Sequence, residues 1–267
     1  HGTLGMKKIE GAIKDENPIW RKFAKIDSQN INYLLTTSET DKKFMKESFW
    51  YDGEILVSGY PRNDILYSTE EDKQRIKEKV FKFLNISSES KFILYCPTFR
   101  DDRRDSCFTM DYQRIRKAFE QKLNSKVVLG TRFHPANIRL ANSVIEYSDN
   151  LINATIYPDI MELLVAADVL ITDYSSCIFD FMHLLKPAFI FATDIEQYKQ
   201  ERGFYFPLED TPFSIAENND KLIDNIENFD RNKYIESVNK YMKANGYADD
   251  GHASERIVDL IEKVMEK

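Results

Sequence analysis

Three apolar runs in this sequence end in side chains that can hold phosphate. In one, residues 169–171 read as a buried strand that breaks at Thr172-Asp173-Tyr174, and Ser175 and Ser176 then open a helical pattern that reaches Leu185. Serine and aspartate oxygens accept from the unpaired N–H groups of a helix start. Those N–H groups and the helix dipole also attract anions. The segment is therefore either a phosphate cradle without a glycine-rich loop or simply a well-capped helix, and Asp173 reads equally as a ligand for hydroxyls or as a cap. In the second run, residues 92–96 lead into a polar turn with Thr98, Arg100 and Asp101. In the third, residues 127–131 lead to Arg132 and, two positions on, His134 before a proline. Hydroxyls, guanidinium groups and an imidazole suit anion binding and proton transfer near neutral pH. In an open α/β sheet, ligands bind outside the carboxyl ends of the strands, so these strand ends form one candidate site.

The elements that must position them alternate. Strands are expected at 32–36, 54–58, 91–95, 126–130, 144–146, 168–172 and 188–192. Helices are expected at 42–49, 70–84, 112–123, 160–166, 176–185, 221–229, 231–243 and 254–265, with Ser38-Glu39-Thr40-Asp41 offering caps for the first. Residues 9–26 read as helical turns broken by Pro18, and residues 59–64 as a turn at a domain junction. Strands alternating with helices imply a parallel sheet covered on both faces. No internal repeat or low-complexity segment interrupts the pattern.

Taken in order, PTFRD, RFHP, DVLITDYSS, FDFMHLLKP, RGFYF and the terminal DGHASERIVDLI resemble the CDP-glycerol glycerophosphotransferases, bacterial enzymes that build teichoic acids and related capsular polymers. Upstream, residues 56–66 are similar to that family's G-x-P-R-N-D junction, and HGTLGMKKI at the start is similar to its H-G-T-P-L-K-K-I segment, with Leu4-Gly5 in place of the proline. The resemblance covers essentially the whole chain. It implies an α/β fold of the GT-B type, two Rossmann-like domains facing across a cleft, with the N-terminal one truncated. On that basis residues 1–66 are the remainder of an acceptor-side domain, 67–90 a linking helix and 91–267 the nucleotide-binding domain.

The resemblance also implies a reaction. A CDP-activated polyol, CDP-glycerol in the first instance, is the substrate, and no cofactor or metal is expected. A hydroxyl on an anionic polymer or lipid-linked acceptor attacks the β-phosphorus and CMP leaves. His1 matches the family histidine assigned as general base, and His134 the second essential histidine on the donor side. Arg132, Thr98 and Arg100 are expected to contact phosphate or ribose, with the pyrophosphate near Ser175 and Ser176. Arg202, Gly203 and Phe204 fall in a family segment near the nucleotide. His183, mid-helix among apolar neighbours, reads as structural, and His252 receives no role. Two other readings stay open: a nucleotide-sugar glycosyltransferase or epimerase of GT-B fold, and a CDP-binding fragment without catalysis.

Composition narrows the setting. A net charge of −7 argues against nucleic-acid binding, which needs a basic face. The small basic cluster Lys7-Lys8 reads as a solvated helix end or as a contact to a membrane surface or polyanion, and Arg100 with Arg103-Arg104 as a site loop diluted by acids. Cys96, Cys107 and Cys177 lack metal-type spacing and are expected as reduced, mostly buried thiols, in keeping with the cytosol. No apolar run approaches the roughly 20 residues that span a bilayer. The expected location is cytoplasmic, peripheral at the inner face of the bacterial membrane.

Overall fold

The computed structural model describes residues 5–13, 18–98, 100, 109–134, 137–138, 143 and 145–266. Strands β3 (Lys91–Cys96), β4 (Val127–Thr131), β5 (Leu151–Asn153), β6 (Val169–Thr172), β7 (Ala188–Phe191) and β8 (Ser214–Ala216) form one parallel sheet in the order β5-β4-β3-β6-β7-β8. A second, two-stranded parallel sheet pairs β1 (Tyr33–Thr36) with β2 (Glu54–Val57). The apolar runs read from the sequence are the central strands, because parallel strands covered on both faces are apolar throughout.

Each face of the six-stranded sheet has its own core. Phe92, Leu94 and Leu170 pack under helices α3 (Glu70–Leu84) and α5 (Ile160–Ala166), with Val80, Phe81, Leu84, Leu163 and Leu164 all buried. Ile93, Tyr95, Val169 and Ile171 pack under α4 (Tyr112–Leu123) and α8 (Asn219–Glu227) through Ile115, Phe119, Leu222 and Ile226. Gly130 on β4 is required by this packing, since a Cβ there would sit 2.6 Å from the Phe92 ring. The helix starts follow local chemistry. Thr69, Asp111, Asp159 and Asn218 each accept a backbone N–H of the first turn, as N-caps do. Ser38 caps α2 (Glu39–Ser48) in the same way.

Three expectations are corrected. Of the strand expected at 144–146, residue 144 lies outside the described residues and residues 145–147 are irregular, and a tight turn bridging Ser148 to Leu151 delivers 151–153 to the edge of β4 instead. Pro18 does not break a helix but begins one, α1 (Pro18–Gln29), because its missing N–H costs nothing at a first helical position. The helix expected over 176–185 is α6 (Cys177–Phe181) followed by a 3₁₀ turn (Met182–Leu184). Strand β8, three residues long, was too short to read.

Two of the motifs that carry the family resemblance lock the sheets together. Beyond α9 (Arg231–Asn245) the chain returns to the β1–β2 unit, where the Ala248 N–H donates to the Thr37 carbonyl at 2.8 Å. Asp64, at the end of G-x-P-R-N-D, accepts from the N–H groups of Ala253 and Ser254 at the start of α10 (Ala253–Met265). The Asp249 carboxylate accepts from the Tyr60 N–H and the Asn63 amide, and Arg256 donates to the Ser58 carbonyl. His183 is buried against Tyr67 and Asp249, and burial lowers its pKa. This is a structural setting, as the sequence indicated.

Candidate active site

Strands β3 and β6 lie side by side in register, Cys96 opposite Thr172, yet β3 leads to β4 on one side and β6 leads to β7 on the other. The chain thus departs in opposite directions from two adjacent strand ends. This topological switch point opens a crevice where doubly wound folds bind ligands. Thr98, Arg100 and the 172–177 turn surround it.

Arg100 is the hub of this crevice. Its guanidinium donates to Asp173 at 2.9 Å, to both oxygens of Asp194 at 2.7 and 3.0 Å, and to the Thr98 carbonyl at 2.7 Å. It lies 4.9 Å from the centroids of the Tyr174 and Tyr198 rings, which stack on each other at 3.9 Å. Arg100 is 3 % exposed, its partners little more. Burial alone would lower its pKa, but the hydrogen bonds and charges of Asp194 and Asp173 outweigh that and raise it. Burial and the neighbouring Asp194 likewise push the Tyr174 phenol well up. Arg100 was expected to meet the ligand, and Asp173 either to bind ligand hydroxyls or to cap the helix. The structure instead commits four of the five guanidinium N–H donors to the protein. The Asp173 carboxylate is equally engaged, accepting from the N–H groups of Thr98 at 2.8 Å and Tyr174 at 2.6 Å. The pair shapes the crevice from below.

Three hydroxyls lie at these strand ends. The Thr98 hydroxyl is buried with no partner among the described residues. Ser175 and Ser176 are half-buried on the turn into α6. The expectation that both serines cap that helix is corrected: Ser176 is itself in helical conformation and makes no cap bond, and the Ser175 hydroxyl accepts from the Cys177 N–H at a long 3.4 Å. Asp173 points inward, and the Ser175 hydroxyl also hydrogen-bonds the Cys177 thiol. Cys96 and Cys177, both unbridged, lie beneath this turn with their thiols hydrogen-bonded to each other.

The end of β4 supplies the next wall. Phe133 is buried, while Arg132 is half-buried and His134 exposed, the alternation of an extended segment. Arg132 donates to the Tyr157 carbonyl at 2.6 Å, which fixes the base of the loop that presents His134.

The last wall comes from the chain's beginning. Residues 6–8 pair antiparallel with 203–205, the Lys8 N–H donating to Gly203 at 3.0 Å and the Tyr205 N–H to Met6 at 2.9 Å. Arg202, after α7 (Ile195–Glu201), donates to the Lys8 carbonyl at 3.0 Å. Gly203 has φ +79°, which favours glycine, and Phe204 packs on Tyr174 and Tyr198. Gly5, at φ +72°, touches Ser176 so closely that a Cβ would lie 2.9 Å from the serine Cβ. The expected trio Arg202, Gly203 and Phe204 therefore holds this strap over the crevice. Lys7 does not sit on a solvated helix end, as its sequence suggested. It is half-buried in the strap, and burial, opposed only in part by Asp173, lowers its pKa. His1 lies outside the described residues.

Sequence reasoning missed Asp194, Tyr198 and Lys7. Asp194 follows β7, the strand beside β6, and the strand-end rule that found Asp173 also applies there. Tyr198 gave no local signal, and the Lys7-Lys8 cluster did not reveal its place in the strap, because pairing across the molecule creates their surroundings.

Known proteins share this sequence and fold. The family model described as CDP-glycerol:poly(glycerophosphate) glycerophosphotransferase matches residues 1–263. The chain is 33% identical, over 98% of its length, to the teichoic acid poly(glycerol phosphate) polymerase of Staphylococcus epidermidis, of which it covers 38%. It is 33% identical, over 90% of its length, to the teichoic acid glycerol-phosphate transferase of Staphylococcus aureus, covering 62% of that protein. The chain therefore spans less than two thirds of the length of these relatives. Among solved structures, the wall teichoic acid polymerase TagF superposes on the entire chain with a TM-score of 0.82 at 29% identity, 67% of that structure being covered. The α/β architecture with parallel sheets is thus GT-B-like.

Proposed function

The chain belongs to the CDP-glycerol:poly(glycerophosphate) glycerophosphotransferase family, and from that premise we propose that its switch-point crevice binds a CDP-activated polyol and transfers the polyol phosphate to a polymer hydroxyl. The observation that carries this reading is the meeting of the unpartnered Thr98 hydroxyl with the Ser175-Ser176 turn, where β3 and β6 end side by side. A diphosphate there accepts from the three hydroxyls, with His134 reaching it from the end of β4. The attacking hydroxyl forms a new bond to the β-phosphorus, and the bond from that phosphorus to the CMP oxygen breaks. The hydroxyl proton passes to a base, the role that His1 fills by its family position. Such transfers need positioning and charge stabilisation more than covalent help from the protein. Arg100, Asp173 and Asp194 supply the rigid floor. The acceptor is an anionic or lipid-linked polymer. Calorimetry with cytidine, CDP, CDP-glycerol, CDP-ribitol and UDP-sugars tests the reading. The cytidine diphosphates are expected to bind and the UDP-sugars to fail, whereas tighter binding of a UDP-sugar would assign the site to sugar-nucleotide chemistry.

The same reading places the protein at the inner face of the bacterial membrane, supported by α1. No helix of the described residues is long and apolar enough to cross a membrane. Helix α1, however, exposes Ile19, Trp20, Phe23 and Ile26, each by 45% or more, and carries Arg21, Lys22 and Lys25 among them. Aromatic and aliphatic side chains interleaved with cations suit the interface of an anionic bilayer. Replacing Trp20 and Phe23 with serine is expected to lower partitioning onto phosphatidylglycerol vesicles roughly tenfold or more, since each loses most of its apolar burial. Unchanged flotation of the double variant would remove α1 from this role.

A further inference from the structure

We infer that Lys7 is a binding residue for the donor's terminal phosphate, a cation that the N-terminal strap delivers to the crevice. The inference rests on the nucleotide diphosphate lying at the β3–β6 switch point. It adds a residue from the opposite end of the chain to a site otherwise built from strand ends.

Pairing of residues 6–8 with 203–205 fixes the strap, and Met6 beside Lys7 is fully buried in the core. The strap cannot easily slide, because Gly5 is wedged against Ser176 and Arg202 grips the Lys8 carbonyl. Lys7 is thereby held among Asp173, Cys177, Arg100 and Arg202, which are the charged and titratable groups acting on it from β3, β6, α6 and α7. The Lys8 stem, in contrast, lies over Gly203.

Around Lys7, the cations Arg100 and Arg202 face Asp173, and Asp173 is already paired with Arg100. Both Asp173 oxygens are already taken by Arg100, Thr98 and Tyr174. The Lys7 ammonium forms no ion pair with a described residue. A cation taken from water without a counter-ion is costly. Burial, reinforced by Arg202 and Arg100, accordingly depresses the Lys7 pKa despite Asp173. A phosphate oxyanion beside it supplies the missing charge and reverses the shift. Donor binding therefore raises the Lys7 pKa again.

The test uses cytidine, CMP and CDP against the unmodified protein, Lys7→Met, Lys7→Arg and Lys8→Met. Lys7→Met is expected to weaken CDP binding roughly 10–100-fold, the range of a charge-assisted hydrogen bond, and to leave cytidine binding unchanged. Lys7→Arg should retain most of the CDP affinity, and Lys8→Met all of it. In buffers of different ionisation enthalpy, at the pH where Lys7 titrates, CDP binding should show proton uptake that Lys7→Met abolishes. Removing an unpaired, half-buried ammonium should also leave the melting temperature equal or higher, which separates a ligand role from a structural one. The inference is overturned if Lys7→Met keeps both its CDP affinity and its proton uptake, or if it loses stability while binding CDP normally. If the unmodified protein binds CDP no better than cytidine, the placement of the diphosphate fails, and Lys7 with it. That outcome is distinct from normal CDP binding that ignores Lys7.

Discussion

Replacing Arg100 with methionine is expected to destabilise the fold by about 3–5 kcal/mol, the cost of removing one partner from a buried ion pair. The guanidinium and its two carboxylate partners are each less than a tenth exposed, so solvent cannot compensate Asp173 and Asp194 once their cation is gone. The Tyr174 hydroxyl, which donates to Asp194 at 2.8 Å, and the stacked Tyr198 ring lose their common anchor as well. Urea denaturation measures the effect directly. A variant within about 1 kcal/mol of the parent, the range of an exposed pair, would show that the cluster does not organise the crevice. Phosphate contact through Arg100 would then return as its explanation.

Replacing His134 with alanine is expected to act in the opposite way, on turnover and hardly on stability. The side chain is exposed at the end of β4, and the loop beneath it is fixed by Phe133 burial and by the Arg132 bond to Tyr157, none of which the substitution touches. A histidine that stabilises the transferring phosphoryl group or moves its proton contributes roughly 100-fold or more in rate. CMP release from CDP-glycerol in the presence of a glycerol phosphate acceptor should fall by that factor, while the melting temperature stays within a few degrees. Near-normal release by His134→Ala would leave the residue as a turn residue before a proline.

The sequence made the scaffold of the site readable and left its wiring hidden. Strands β3, β4, β6 and β7 announce themselves as apolar runs because both faces are covered. Helices α3, α4 and α5 start where Thr69, Asp111 and Asp159 can cap them, and their ranges match the expectation. The strand ends were therefore located, and with them Thr98, Arg132, His134, Ser175 and Ser176. The roles of Arg100 and Asp173 were another matter. Whether a guanidinium at a strand end faces a ligand or a carboxylate depends on Asp194, 94 positions away in the chain, and no local pattern encodes that pairing. The serine caps failed for a related reason, since the Asp173 carboxylate turned inward to the Thr98 N–H and the helix began one residue later. Lys7 resembled a surface lysine until its strand partners at 203–205 were known. In the same way, Pro18 punctuated the sequence as a break although the chain uses it as a helix start. The motifs G-x-P-R-N-D and DGHASER stood out as signatures of the family. Their contacts explain them as the joint between the two sheets, where Asp64, Asp249 and Arg256 interlock.

Calorimetric comparison of CDP with cytidine tests the placement of the donor diphosphate most directly. Thr98, Ser175 and Ser176 and the Lys7 ammonium gather where phosphate would lie, and each charge-assisted hydrogen bond is worth roughly tenfold or more in affinity. The unmodified protein should therefore bind CDP at least about tenfold more tightly than cytidine, and leucine at both Ser175 and Ser176 should erase the difference. Equal affinity for the two ligands in the unmodified protein would contradict the account, because the switch point would then hold no phosphate.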